Sequence, residues 1–253
     1  MTALLTLERV SFAYPGVARP ALRDVSVVVE RGTVTGVSGA VGAGTSTLLL
    51  VAGGFAPRLT GGALSGVRRL DTARVGIVFA TPWTQLTGLA STVRGEAAFG
   101  PASLGRPREA VLAAAERALG DLGVAHLAER DPTTLSGGEL QRVVVASVLA
   151  MEPELLVLDD PAAELDPAGA DGLYALLPAI AARGAGVLVA TPDVERLAKV
   201  AERVLVLEDG RLARAGRPAE VLDDTDVARI ARAAGCPAPP PLDVAAALGR
   251  IAR

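Results

Sequence analysis

Lysine is almost missing from this sequence: Lys199 is the only one among 25 basic residues. Cysteine and histidine occur once each, as Cys236 and His126. One cysteine excludes an intrachain disulfide and a thiolate metal cluster, and it reads as a small, partly buried apolar residue. His126 reads as a surface residue at the end of a helical segment. Aromatic residues are only 3% of the chain, although half of all residues are apolar, so the core is built from Val, Leu and Ala. There is no basic excess either; a formal charge of -3 argues against a dedicated nucleic-acid binder. The longest apolar run, Val143 to Met151, lies between Arg142 and Glu152 and falls short of the roughly 18 to 20 residues that span a bilayer. Glu8 and Arg9 interrupt the start in a way that a signal peptide does not. The expectation is a soluble, cytoplasmic chain, for which any role at a membrane must come through a partner.

What is present is an alternation of strands and helices. The 253 residues allow one large α/β domain, or a core with a small subdomain. Segments 2–10 and 25–30 read as N-terminal strands, with "YPG" and "RPAL" turns between them. Residues 34–38, 74–79, 154–160, 186–191 and 203–216 supply further strands, the last segment folding on an Asp-Gly turn. Helices are expected from residue 46, over 106–123, and from Ser136, where Ser-Gly-Gly-Glu places Glu139 in a capping box. This order implies a largely parallel sheet covered by helices. Residues about 80 to 135 carry helix signals without a clear strand and read as an insertion. "CPAPPPL", 236–242, reads as a stiff linker to a short terminal helix.

The stretch "VTGVSGAVGAGTSTLLL" outlines a phosphate-binding loop, with Gly39, Gly42 and Gly44 between a strand and a helix. The amides of residues 42 to 47 (Gly42, Ala43, Gly44, Thr45, Ser46 and Thr47) are expected to face a concavity that holds phosphate whatever the side chains. Ser46 is placed to ligate Mg²⁺, with Asp159 at a later strand end holding the same ion through water. The lysine of the motif is absent; Thr45 stands there.

"LSGGELQR", residues 135–142, is the signature of the ATP-binding cassette family, and the sequence resembles that family from about residue 4 to residue 220. Tyr14, the glycine loop, the helical insertion, the signature, "LLVLDDPAAELD" and "LVATPD" follow in the family's order. Residues 84–111 look like the ATPase subunits of energy-coupling factor importers, which take up vitamins or transition-metal ions. The resemblance implies a P-loop NTPase (RecA-like) core with an N-terminal antiparallel β subdomain and a helical subdomain, about 80–150. A cassette domain over 1–220 would then precede a C-terminal helical extension, 221–253. It also implies ATP and Mg²⁺ as ligands, with Tyr14 stacking on the adenine.

In this family two cassettes face each other head to tail, so each chain owns one half-site and lends another. The owned half-site departs from the pattern at Thr45 (lysine), Ala80 (glutamine), Asp160 (catalytic glutamate) and Pro192 (switch histidine). Lys199 and His126 are too far along the chain to replace the missing groups. Losing one charged hydrogen bond to phosphate costs about 1.5 to 3 kcal/mol, roughly 10- to 150-fold in affinity. Turnover is less forgiving, since a misplacement of about 1 Å costs on the order of 100-fold, and the other losses remove transition-state stabilisation. The expectation is a site that holds ATP and hydrolyses it slowly or not at all.

The lent half-site keeps its pattern. Ser136, Gly137, Gly138, Glu139, Gln141 and Arg142 match the signature, and Asp166 matches the loop that crosses the dimer interface. Damage on one side only implies a heterodimer with one working site, together with a transmembrane coupling subunit and a separate substrate-binding membrane component. The alternative is a regulatory, nucleotide-binding pseudo-ATPase outside transport. Trp83 lies where the family meets its membrane subunit, and a half-buried structural role fits it equally. The helix around 227–232 and the run at 239–241 read as solvated surface and plain linker.

Overall fold

A computed structural model describes residues 2–222; the linker, the terminal helix, the 227–232 segment and Cys236 lie outside the described residues. Two sheets carry the chain. The larger has six strands in the order β5 (Val75–Val78), β6 (Leu155–Asp159), β7 (Gly186–Ala190), β3 (Val34–Gly39), β8 (Arg203–Glu208) and β9 (Arg211–Gly216). The first five are parallel, and β9 returns antiparallel on the Asp209–Gly210 turn. Strands β3, β6 and β7 are buried along almost their whole length, which is why β6 and β7 read as nearly continuous apolar runs rather than alternating ones.

The period of two decides which face each side chain covers. Val37, Leu155, Val157, Leu188 and Leu205 join one buried cluster with Leu48 and Leu49 of α1 (Thr45–Gly53). Their neighbours Val34, Leu156, Leu158, Val187 and Val204 join a second cluster with Val143, Leu173 and Leu197, from α4 (Gly137–Ala150), α5 (Pro167–Ala182) and α6 (Val194–Val200). Two glycines let helices approach the sheet. A methyl group on Gly36 would lie 2.9 Å from a Leu197 carbon, and one on Gly76 would lie 2.6 Å from Val148.

The smaller sheet is antiparallel, with β1 (Ala3–Ala13) between β2 (Leu22–Glu30) and β4 (Ala63–Leu70). Strand β4 is absent from the sequence-based expectation, because Gly66 and the Arg68–Arg69 pair break its alternation and most of it is exposed. Its place is fixed from a distance. The Arg68 guanidinium donates to the Val51 and Ala52 carbonyls at 2.7 and 3.1 Å, satisfying the open C-terminus of α1. Helices α2 (Val93–Ser103), α3 (Arg108–Asp121) and α4 form the helical region, with α4 also against β5. This mixed architecture has the antiparallel sheet, parallel core and helical region expected. Among the described residues, no helix is long and apolar enough to cross a membrane.

Candidate functional site

The glycine loop joins β3 to α1 at the C-terminal edge of the parallel sheet, where such sheets bind ligands. Gly42 and Gly44 have φ of 83° and 99°, which a side chain opposes. Gly44 is also sterically confined, since a methyl group there would lie 2.6 Å from the Ala21 carbonyl oxygen. Behind the loop, the Gly210 amide donates to the Ala43 carbonyl at 2.9 Å, so the β8–β9 turn supports it. Gly44 caps α1 without any side-chain bond, leaving the helix's positive end bare. The structure amends one expectation. The Ala43 amide donates to Ala40 O at 2.9 Å and is therefore not free to meet a ligand.

Around this loop three pairs form. The Tyr14 hydroxyl lies 3.2 Å from Thr47 Oγ1, and its ring meets Phe12 edge to face at 4.9 Å, which sets the aromatic at the rim of the loop. The Ser46 hydroxyl lies beside the Asp159 carboxylate. Burial pushes the Asp159 carboxyl above its ordinary range, and the Ser46 hydroxyl partly offsets this. Asp160 is shifted in the same direction, first by burial and further by Asp159 and Asp193, against the opposing Thr191 bond. Two adjoining, desolvated carboxylates with a hydroxyl in reach suit a hard divalent cation. Among the described residues no group of three or more His, Cys, Asp or Glu side chains gathers to hold a metal. A cation here would take few protein ligands and complete its shell with water and phosphate oxygens, as Mg²⁺ does.

The third pair is Asp160 and Thr191. Thr191 Oγ1 donates to Asp160 Oδ1 at 3.2 Å and accepts from the Asp193 amide at 3.1 Å. Asp160 itself has φ of 43°, a left-handed conformation that Asp tolerates better than most residues. Pro192 is exposed beside this relay and offers no donor of its own. Arg196, one turn on, is held by Asp193 and Asp171 rather than by either strand-end carboxylate. Lys199 is remote. It lines a cleft with Thr33 and Thr35, at the opposite end of β3 from the glycine loop.

Ala80 follows β5 and carries no polar side chain. The polar group that shapes this loop is Gln85, at the end of the short turn Pro82–Gln85. Its Oε1 accepts from the Phe79 amide at 2.6 Å and its Nε2 donates to the Ile77 carbonyl at 2.9 Å. Farther on, the buried Glu96 carboxylate accepts from both the amide and the hydroxyl of Thr87. Trp83 stands half exposed in the turn that Gln85 closes.

The signature lies at the start of α4. Ser136 Oγ accepts from the Glu139 amide at 3.3 Å, and Glu139 Oε2 takes both the Ser136 amide and hydroxyl at 2.8 Å. This is the expected capping box, and those bonds hold the Glu139 carboxyl below the usual range. Arg142 Nε bonds the Gly138 carbonyl at 3.4 Å. Gln141 matches the signature but faces inward. It is 0% exposed, so the helix turns it into the core and away from any surface a second chain would touch. Asp166 is exposed and caps α5 by accepting from the Gly169 amide at 2.8 Å. His126 is exposed in a short turn, as expected.

The family model for the ABC transporter domain matches residues 22–163, more than half of the chain. The chain belongs to the ATP-binding cassette family. Among its relatives, the energy-coupling factor transporter ATP-binding protein EcfA of Methanothermobacter thermautotrophicus is 38% identical over 235 residues, covering 89% of this chain and 75% of that protein. The nickel import ATP-binding protein NikO of Rhodobacter capsulatus is 41% identical over 248 residues, covering 92% of this chain and 96% of that protein. Among solved structures, cbiO1 of Clostridium perfringens, part of the ABC transporter complex cbiONQ, matches with a TM-score of 0.77 at 28% identity. That match covers 92% of this chain and 95% of the other.

Two residues of this cassette domain escaped the sequence reading. Gln85 falls in the 84–111 stretch without a role of its own there, and its bonds matter because β5 is the edge of the sheet, a property of topology alone. Glu164 lies in the loop before Asp166, and a methyl group on Gly137 would sit 2.9 Å from its Oε2. No sequence signal announces that contact.

Proposed function

We propose that this cassette is one ATP-binding subunit of an importer of the energy-coupling factor or nickel and cobalt kind, working beside a catalytically complete second cassette. The reading places it at the inner face of the cell membrane through a transmembrane coupling subunit, with substrate choice made by a separate membrane component. The similarity to EcfA, NikO and cbiO1 supports this assignment. The single observation that carries the division of labour is the contrast between two helix starts. At α4, Ser136 and Glu139 retain every bond of a capped signature, whereas at α1 position 45 is Thr45 and the helix start has no charged side chain to offer a phosphate.

In the owned half-site, the bare start of α1 would receive the phosphates, and Tyr14 the base. Ser46 and Asp159 would hold Mg²⁺, which supplies charge neutralisation to the phosphate chain when bound. Asp160 reaches Thr191 instead of a histidine, so no side chain there senses the γ-phosphate. The site therefore retains ATP without turning it over at a useful rate. In the lent half-site, Ser136 Oγ and the amides of Gly137 and Gly138 would close on the nucleotide of the second cassette, adding fixed positive dipoles where charge develops.

Ser136→Arg in this chain, assayed in the complete heterodimer, tests the reading. ATP turnover should fall to background while circular dichroism stays that of the parent. Unchanged turnover would refute the lent half-site.

A further inference from the structure

We infer that Glu164 is an anionic shutter on the signature of this chain, setting how readily the second cassette's γ-phosphate is captured. The inference rests on the reading of Ser136–Gly138 as the lent half-site. Three observations carry it. First, Glu164 leans on both signature glycines. A methyl group on Gly137 would lie 2.9 Å from Glu164 Oε2, and one on Gly138 would lie 3.2 Å from the Glu164 carbonyl oxygen.

Second, the carboxylate has no counter-charge. Among the described residues no ion pair or hydrogen bond involves its side chain, and the nearest signature acid, Glu139, already takes the Ser136 amide and hydroxyl and the Arg130 guanidinium. A free carboxylate beside a helix start occupies the region where that helix attracts anions. A phosphate arriving there meets a like charge close by. Third, Glu164 sits on a short tether, two residues before Asp166, whose side chain caps α5. Glu164 is exposed, so rotation about its own side-chain bonds moves the carboxylate without disturbing either helix. Capture of the γ-phosphate and withdrawal of Glu164 are thus one event, and the chain opposes closure until ATP on the second cassette displaces the acid. ADP, which lacks the γ-phosphate, gains little from that displacement.

The test is steady-state ATPase of the heterodimer with Glu164→Gln and Glu164→Ala in this chain, alongside Ser136→Arg. Glu164→Gln keeps the shape and removes the charge, so both Glu164 variants should lower the apparent KM for ATP by about threefold or more. The binding constant for ADP should stay the same, and the parent's KM alone should drop toward that of the variants as salt rises. A merely structural contact would change the melting temperature and leave KM and its salt dependence alone. If Ser136→Arg abolishes turnover and Glu164→Gln behaves as the parent, the shutter is refuted while the lent half-site stands. If Ser136→Arg changes nothing, both fall.

Discussion

Gln85 closes the open edge of β5 by standing in for a neighbouring strand. Its carboxamide accepts from the Phe79 amide at 2.6 Å and returns a proton to the Ile77 carbonyl at 2.9 Å, the two groups that a next strand would pair. A primary amide mimics a peptide group in both respects. The bonds also anchor the loop that carries Trp83.

Gln85→Leu removes both partners and leaves a backbone donor and acceptor unpaired. The expected loss is about 1 to 3 kcal/mol of stability, read from urea unfolding. Trp83 is the only tryptophan, so its emission reports the loop directly. A red shift should accompany Gln85→Leu in the native state, and Gln85→Glu should behave similarly because a carboxylate cannot donate to Ile77.

Gly44 and Gly42 should respond unequally to alanine. Both have positive φ, which costs a side chain about 1 to 2 kcal/mol. A methyl group at Gly42 meets nothing within 4 Å, whereas at Gly44 it meets the Ala21 carbonyl at 2.6 Å. Gly44→Ala should therefore lose clearly more stability than Gly42→Ala in denaturant midpoints. Equal losses would mean that the loop and Ala21 separate freely.

Thr45→Lys should restore grip without restoring chemistry. One charged hydrogen bond to phosphate corresponds to roughly 10- to 150-fold in affinity. Calorimetric titration of the chain with Mg·ATP measures it. Turnover by the chain alone should stay at background, because Ala80, Asp160 and Pro192 are unchanged.

Asp160 gives stability a pH dependence whose sign follows from its burial. Its native proton affinity is raised above the ordinary carboxylate value of about 3.9, so the native state binds more protons than the unfolded state across that window. Stability therefore falls as pH rises through it. Asp160→Asn removes the buried charge and should stabilise the nucleotide-free chain at pH 7. The advantage should disappear below about pH 4, where the parent carboxyl is protonated in both states. Thermal melts at both pH values decide this; an advantage that grows on acidification would contradict it.

Much of this architecture was legible because burial leaves a mark in composition. Strands β6 and β7 are covered on both faces and read as nearly unbroken apolar runs, and the Ser136–Glu139 box announces α4 outright. What was illegible depends on distant partners. Strand β4 is held by β1 and by Arg68 reaching the end of α1, neither of which leaves a local pattern. Gln141 matches the signature motif, and the helical repeat turns it inward with Val144 and Val145, which the motif alone does not tell. Gln85 and Glu164 matter only through the strand edge and the glycines they meet.

The central claim is that the pocket owned by this chain holds nucleotide and leaves hydrolysis to its companion. The most direct measurement is steady-state phosphate release by the heterodimer after the second cassette's catalytic carboxylate has been replaced by its amide, so that only the pocket of Thr45, Asp160 and Pro192 remains. The account predicts release at background with ATP still bound. Release at the rate of the unmodified pair would contradict it.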